Sequence, residues 1–241
     1  MMPPVDVMVV LAVAVFLGAA VQGAIGLGLG LLAAPVAALL APELMPGTLL
    51  WLSMLLPVFT LAREWSDVDW WGLRWAFLGR LPATALGAWI VSVISQRVLS
   101  VSVGLVILAA VVLTVRTIRL PMTRGVLVAA GSVSGISGTA TSIGGPPLAL
   151  VYQSELGPKV RSTLAVYFLI GAGFSLAALR VVGELTMVQT TAALWLSPLL
   201  AAGFALASVL RAAADGGRLR MAVMVVCALS AITLIVRSLA G

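Results

Sequence analysis

The sequence predicts an all-α polytopic membrane protein, because of its composition, its long apolar runs and the glycine clusters that interrupt two of them. Of its 241 residues, 62% are hydrophobic and 9% are charged. A soluble domain carries about 25% charged residues because its surface faces water. This chain has too few charges to cover such a surface, so its expected solvent is mostly lipid.

The apolar runs cover almost the whole chain, at about residues 7–21, 31–41, 44–62, 72–94, 98–115, 124–136, 147–154, 160–179, 186–210 and 219–236. A spanning helix needs roughly 20 apolar residues. The sequence therefore predicts about eight full spans, or ten segments when short broken helices are included. This leaves no room for a separate soluble domain.

Two stretches, 7–41 and 124–154, are too long for one span and are rich in glycine. A helix of about 35 residues would extend about 52 Å at 1.5 Å per residue, whereas the hydrocarbon layer is roughly 30 Å thick. Glycine weakens a helix interior and permits a positive φ. We therefore predict that each stretch forms two short helices joined by a break within the membrane. The interrupting glycines are Gly23, Gly26, Gly28, Gly30, Gly131, Gly135, Gly138, Gly144 and Gly145.

An internal duplication is predicted by an ungapped shift of 116 positions. The shift places Pro42 on Pro158, Pro82 on Pro198, Gly87 on Gly203, and Gly28 on Gly144. Proline matches are more informative than alanine or leucine matches in so apolar a chain. The predicted repeats are residues 1–118 and 119–241, and duplication is common among secondary transporters.

The basic residues predict the topology. If each broken stretch enters the membrane and returns, each half has five segments and the second half is inverted. One side then collects Arg63, Arg74, Arg116, Arg119, Arg124, Lys159, Arg161, Arg211, Arg218 and Arg220, and the other keeps Arg97, Arg180 and Arg237. Positive charge concentrates on the cytoplasmic side, so an inverted repeat in the plasma or inner membrane is expected, with both termini outside the cytoplasm. Arg80 lies too deep in a span to be assigned to either side.

The two breaks are the predicted substrate site, because short glycine-interrupted segments at matched positions are typical of transport sites. In the second half, Ser-Ile-Gly-Gly-Pro-Pro at 142–147 predicts a helix start, which carries partial positive charge and free N–H donors. No acidic residue lies clearly at a span centre, so a small anion is favoured. The candidate substrate-binding residues are Gln22, Gly26, Gly28, Gly30, Ser137, Thr139, Thr141, Ser142, Gly144, Gly145, Pro146 and Arg161. Arg161 is interpreted mainly as a cytoplasmic charge, and Arg80 as a snorkelling side chain.

Several classes of function are disfavoured by the same composition. The chain has no histidine and one cysteine, Cys227, which removes the commonest general base and metal ligand and any internal disulfide. We therefore expect neither an enzyme nor a cofactor or metal site. The net charge is +6, and apart from Arg80 the basic residues lie between the apolar runs or close to their ends, which predicts contact with anionic lipid rather than nucleic acid.

The residues at 23–35 (GAIGLGLGLLAAP) and 135–147 (GISGTATSIGGPP), followed by Glu155, Lys159 and Arg161, resemble the TauE/SafE family of sulfite exporters and related anion permeases. The resemblance covers nearly the whole chain, and its most specific element is Gly-Gly-Pro-Pro. It implies export or permeation of sulfite or another small sulfur-containing or organic anion. In the first half, leucines alternate with the glycines, whereas the family usually carries a denser glycine run.

The leading hypothesis is a secondary transporter or permease for a small anion, sulfite or an organosulfonate, bound at the paired breaks near the midplane. The alternatives are an anion channel and a membrane assembly or scaffold protein without transport. The expected partners are the anion and the lipid bilayer. Coupling to H⁺ or Na⁺ and a homodimer are left open.

Overall fold

The computed structural model describes residues 2–115, 120–214 and 218–240. Within these ranges it contains no strand and ten α-helices, with short 3-10 helices at Pro42–Leu44 and Trp65–Asp67. The α-helices are α1 (Val5–Ile25), α2 (Leu29–Leu40), α3 (Gly47–Glu64), α4 (Trp70–Val93), α5 (Gln96–Val115), α6 (Arg124–Thr141), α7 (Gly145–Val151), α8 (Gly157–Val181), α9 (Met187–Ala214) and α10 (Arg218–Ala240).

Six of these helices are long and apolar enough to cross a membrane: α1, α4, α5, α8, α9 and α10. The helices α2 and α3 are shorter and also apolar. Many large apolar side chains are exposed on the outside of the bundle, among them Val9, Leu86, Trp195 and Leu229. Lipid is the solvent that such a surface requires, so the prediction of a polytopic α-helical membrane protein is confirmed.

The two predicted breaks occur between α1 and α2 and between α6 and α7. Gly26 follows α1 with φ 84°, and Ser142 follows α6 with φ 62°, so each first helix ends on a left-handed residue. The second helices begin at Leu29 and Gly145. Both pairs of positions are 116 residues apart, as the predicted shift requires.

The prediction that each stretch forms two short helices joined by a break is wrong for the first helix of each pair. The first helices α1 and α6 contain 21 and 18 residues, whereas α2 and α7 contain 12 and 7. The apolar runs end at residues 21 and 136, but the helical hydrogen bonds continue up to the left-handed residues Gly26 and Ser142. At these residues the geometry of the helix can no longer be extended.

One end of the bundle is organised around Asp69, and we call it the Asp69 end. The Asp69 carboxylate accepts hydrogen bonds from Gly72 N–H at 3.0 Å and from Tyr152 O–H at 2.8 Å, and the Asp69 N–H donates to Thr163 Oγ1 at 3.0 Å. Burial raises the pKa of Tyr152 above its ordinary value, and Asp69 raises it further, so the phenol remains a donor. The start of α4, the end of α7 and the start of α8 therefore meet here.

The opposite end is organised around Gln189, and we call it the Gln189 end. The Gln189 side chain donates to Glu43 O at 3.2 Å and to Met45 O at 3.0 Å. The Thr48 hydroxyl donates to Gln189 O at 3.0 Å. These bonds fasten the start of α9 to the connection between α2 and α3.

The first broken pair forms a hairpin that enters from the Gln189 end. Helix α1 runs parallel to α9, since Phe16 lies against Gly203 and, further along both helices, Gly23 lies against Ala207. Helix α2 then returns beside α1, with Leu29 against Gly18. The α1–α2 hairpin therefore has its tip inside the bundle.

The second broken pair forms a hairpin that enters from the Asp69 end. Helix α6 runs parallel to α4, since Gly131 lies against Ala76 and, further along, Gly87 lies against Ile136. Helix α7 returns to Tyr152, at the Asp69 end. The two hairpins thus enter from opposite ends.

The main helix interfaces join residues 1–118 to residues 119–241. Helix α4 packs against α6, α1 against α9, α3 against α8, and α5 against α10. One buried apolar cluster is built largely from α1, α2, α3, α5, α9 and α10, and a second from α4, α6, α7 and α8. The predicted sequence halves are therefore interlocked, and neither has a separate core.

Candidate functional site at the two helix breaks

The two hairpin tips meet at a cavity of about 20 Å³. Its lining includes seven of the twelve predicted site residues: Gln22, Gly28, Gly30, Ser142, Gly144, Gly145 and Pro146. We call this space the break cavity. It has room for about one water molecule, so the two breaks are closed on each other in this conformation.

Glycine is required where the tips touch. A Cβ on Gly30 would lie 2.7 Å from the Ser142 carbonyl oxygen, closer than ordinary van der Waals contact allows. A Cβ on Gly145 would overlap the end of the Leu27 side chain and would lie 2.8 Å from Phe168 Cζ. The close approach of the two backbones therefore depends on glycine at position 30, whereas a side chain at position 145 would have to displace the ends of Leu27 and Phe168.

Gln22 provides a hydrogen-bond acceptor for one of the free N–H groups at the start of α2. The Leu29 N–H donates to Gln22 Oε1 at 3.0 Å, and Gln22 is buried. A helix start leaves four N–H groups without intrahelical acceptors, so Gln22 satisfies one of the four. At the start of α7, Pro146 and Pro147 have no N–H to offer, so fewer donors remain there than the sequence alone suggests.

The predicted hydroxyl groups bond mainly to the protein around the second break. The Ser137 hydroxyl donates to Ile143 O at 3.1 Å, and the Ser142 hydroxyl to Pro46 O at 2.9 Å. The Thr141 hydroxyl donates to Ser137 O at 2.7 Å. The acceptors are backbone carbonyls in the second break, before α3 and within α6, so the visible role of these hydroxyl groups is to bond to the protein.

Thr139 lies apart from the break cavity, on the side of α6 that faces α8. Its hydroxyl is 2.8 Å from Ser175 Oγ, and the Ser175 hydroxyl donates to Gly171 O at 3.0 Å. Because Ser175 uses its proton on Gly171, Thr139 is the donor to Ser175. Ser137, Thr139 and Thr141 are not among the residues that line the break cavity.

A larger cavity of about 270 Å³ lies beside the break cavity, towards the Asp69 end; we call it the vestibule. Leu27 and Pro146 line both spaces. Arg161 lines the vestibule, and its side chain approaches Gly26, where a Cβ would lie 3.5 Å from Arg161 Cγ. Gly26 and Arg161 also line a small gap that includes Gln22.

The interpretation of Arg80 as a snorkelling side chain is wrong. Arg80 lies near the middle of the 24 residues of α4 and is 2% exposed. Its guanidinium lies over the Tyr167 ring, 4.3 Å from the centroid, between α4 and α8. The side chain faces the protein because the α4 face that carries Ala76, Arg80 and Thr84 is buried. The sequence contained a signal for this orientation, because a charged residue at the centre of an apolar run usually faces the bundle interior.

Sequence reasoning missed the residues that surround the glycines. Leu27, Ser53 and Phe168 all line the break cavity. Leu27 lies between the two glycines of the first break, whereas Ser53 and Phe168 come from α3 and α8 and carry no local pattern that marks them. Among the described residues, no group of three or more His, Cys, Asp and Glu side chains could hold a metal ion.

Comparison with known proteins identifies one family. The family model described as Sulfite exporter TauE/SafE matches residues 10–234. No curated protein and no solved structure matches the chain. Because the matched region contains both hairpins and all ten helices in whole or in part, the chain belongs to the sulfite exporter TauE/SafE family.

Proposed function

We propose that this protein transports a small anion, sulfite or an organosulfonate, through the break cavity between the two hairpin tips. The observation that carries the proposal is the meeting of both breaks at one cavity in a chain of an exporter family. Broken helices near the middle of a bundle are a recurrent way to build a transport site. Membership in this family also supports transport rather than catalysis.

The charge distribution supports an anion as the substrate. The described carboxylates Asp6, Glu43, Asp67, Asp69, Glu155 and Glu184 lie at helix ends or in connections. None of them is among the residues that line the break cavity or the vestibule. An anion there would meet N–H groups and the nearby Arg161 without a facing carboxylate.

The cavities suggest how the anion reaches the site. Sulfite has four heavy atoms and needs several times the space of the single water that fits the break cavity. The vestibule is large enough, and Leu27 and Pro146 form the partition between the two spaces. Movement of this partition would admit an anion from the Asp69 end.

The inverted repeat is part of the same proposal. Its support is that the two breaks have the same helix ends at a spacing of 116 residues and belong to hairpins that enter from opposite ends. The helix interfaces also correspond. The shift of 116 residues places α1 on α6 and α4 on α9, so the contact between α1 and α9 matches the contact between α6 and α4. Because the sequence halves interlock, we propose that alternating access moves the first apolar cluster relative to the second. The packing of a third cluster, which joins α3 and α5 to α4, α6 and α8, would then change.

We further propose that the Asp69 end faces the cytoplasm and that both termini lie outside, in a plasma or inner membrane. Arg74, Arg124, Lys159 and Arg161 belong to helix starts at the Asp69 end, whereas Arg97, Arg180 and Arg237 belong to the Gln189 end. This bias follows the positive-inside rule. Arg116 and Arg119 lie outside the described residues, as do the side chains of Arg63, Arg211, Arg218 and Arg220.

Flux from proteoliposomes tests the proposal. Purified protein should give saturable efflux of sulfite, thiosulfate or sulfoacetate, with competition among the anions that bind. Gly145→Leu should abolish efflux because the added side chain would occupy the space of Leu27 and Phe168. Gly125→Leu is the matched control, since no heavy atom lies within 4 Å of its Cβ position.

The alternatives predict different results in the same assay. A channel would give flux without saturation, and a scaffold protein would give none. Full efflux by Gly145→Leu would place the site elsewhere. Imposed pH and Na⁺ gradients would identify H⁺ or Na⁺ as a coupling ion if either one drives uptake against the anion gradient.

A further inference from the structure

The Arg80 guanidinium is a buried cation that lacks protein partners for much of its hydrogen-bonding capacity. Its Nε and Nη1 atoms are buried without a hydrogen-bond partner. The ion pair between Lys159 and Glu155 lies at the Asp69 end and does not involve Arg80. A charge in a low-dielectric interior is costly unless it is paired and hydrogen-bonded.

Two hydroxyl groups beside Arg80 are also buried without a hydrogen-bond partner. Tyr167 Oη and Thr84 Oγ1 are buried and have no partner. Tyr167 presents its ring face to the guanidinium, and Thr84 follows Arg80 by one turn on the same buried face of α4. The cation–π contact offsets part of the cost of burial, but it uses none of the N–H and O–H donors.

Glycines make room for the guanidinium and direct it towards the second break. A Cβ on Gly171 would overlap the guanidinium, so glycine at this position leaves the space that the guanidinium occupies. The Cβ position of Gly138 lies 3.7 Å from Arg80 Nη2 and 3.0 Å from Gly144 Cα. No side chain of residue 138 therefore stands between the Arg80 charge and the backbone of the second break.

The first break differs at the matched position. The shift of 116 places Gln22 on Gly138. In the first break, the Gln22 amide fills the space and accepts from the start of α2. In the second break, the corresponding space has no side chain, and the Arg80 guanidinium approaches it from α4.

We propose that Arg80, assisted by Tyr167 and Thr84, is the fixed cationic group that binds the transported oxyanion at the second break. The ligand class is a small oxyanion whose oxygens accept from a guanidinium and two hydroxyl groups. Without the anion, the guanidinium rests on the Tyr167 ring; with it, the unused donors gain acceptors. This inference rests on the proposed transport function and places the negative charge beside Gly138 at the second break, next to residues that do not themselves line the break cavity in this conformation.

Thermal unfolding of the purified full chain with sulfite as the probe tests this role. Gluconate, an organic anion with about three times as many heavy atoms as sulfite, is the background anion. In wild-type protein, sulfite should raise the unfolding temperature in a saturable manner. Arg80→Met should weaken the apparent sulfite affinity at least tenfold, while its unfolding temperature without sulfite equals or exceeds that of wild type, because an unpaired buried charge has been removed.

Matched variants separate binding from structural roles. Arg74→Met removes the same charge from an exposed position on the same helix and should bind sulfite like wild type. Tyr167→Phe keeps the ring under the guanidinium but removes the hydroxyl group, and it should weaken sulfite binding severalfold. This variant replaces Arg80→Met in the binding test if Arg80→Met does not fold. Arg80→Lys should retain weakened binding because the charge remains without the planar donor geometry.

The outcomes distinguish this inference from the proposed function. If Arg80→Met transports at the wild-type rate and binds sulfite with unchanged affinity, the role of Arg80 is overturned and the transport proposal stands. If Arg80→Met does not fold, the same result in Tyr167→Phe leads to the same conclusion. If Arg80→Met unfolds at a lower temperature but keeps its affinity for sulfite, Arg80 has a structural role only, and the inference is also overturned. Wild-type protein that neither binds nor transports sulfite, thiosulfate or sulfoacetate would overturn both proposals.

Discussion

Gly30 is the position where adding one methyl group most directly separates the two breaks. The new Cβ would lie 2.7 Å from the Ser142 carbonyl oxygen, whereas ordinary contacts are 3.4–4 Å. A carbonyl of the backbone cannot rotate away like a side chain, so Gly30→Ala must displace α2 from the second break. Overpacking of this kind costs about 1–3 kcal/mol.

Gly173→Ala is the matched control, because its Cβ would lie 3.8 Å from Met54 Sδ. Gly173 lies inside α8, whereas Gly30 is the second residue of α2, so the gain in helix propensity, about 1 kcal/mol in a helix interior, is no larger for Gly30→Ala. Gly30→Ala should therefore be about 1–3 kcal/mol less stable than Gly173→Ala. Each kcal/mol corresponds to about 2–4 °C in Tm for a chain of this length.

The assay is thermal unfolding of the two purified variants, followed by anion efflux from proteoliposomes. Gly173→Ala should transport at the wild-type rate, and Gly30→Ala should lose most of its flux because the tips no longer meet with the same geometry. Equal unfolding temperatures for the two variants would refute the close contact between Gly30 and Ser142. Equal flux would refute the role of that contact in transport.

Three other predictions concern the backbone, the Asp69 end and the topology. Gly26→Ala and Gly183→Ala both place a side chain at a positive φ of 84° or 82°, so each should cost about 1–2 kcal/mol in denaturant unfolding, and a neutral result would contradict that backbone geometry. Tyr152→Phe should lose about 1.5–3 kcal/mol with the hydrogen bond to the Asp69 carboxylate; unchanged stability would mean that the bond contributes nothing. A reporter fused after Gly241 should lie outside the cytoplasm, and a cytoplasmic signal would contradict the proposed orientation.

Much of the fold could be predicted from local properties of the sequence. The apolar runs identified helices because a backbone in lipid must satisfy its own hydrogen bonds. Glycines located the two breaks because a left-handed residue and a close backbone approach both favour a residue without a Cβ. The predicted lengths of α1 and α6 were wrong, because the apolar runs end earlier than the helical hydrogen bonds, which continue to Gly26 and Ser142.

The roles of individual polar side chains were harder to predict. Ser137, Thr139 and Thr141 have the composition of an anion site, yet each of their hydroxyl groups hydrogen-bonds within the protein. A hydroxyl in lipid must find an acceptor, and these three use the Ile143 carbonyl, the Ser175 hydroxyl and the Ser137 carbonyl. Composition alone therefore could not separate a support for the break from a ligand for the substrate.

By itself, the sequence determined that this protein is a bundle of membrane helices with two glycine-marked interruptions, because hydropathy and backbone freedom are properties of neighbouring residues. Only the tertiary structure decided that the two tips meet at one cavity and that Arg80 faces the interior beside Tyr167. The reason is physical: the direction of a side chain on a helix has meaning only relative to the helices that surround it. Arg80 would face lipid or protein according to a rotation of α4, and its packing against α6 and α8 fixes that rotation.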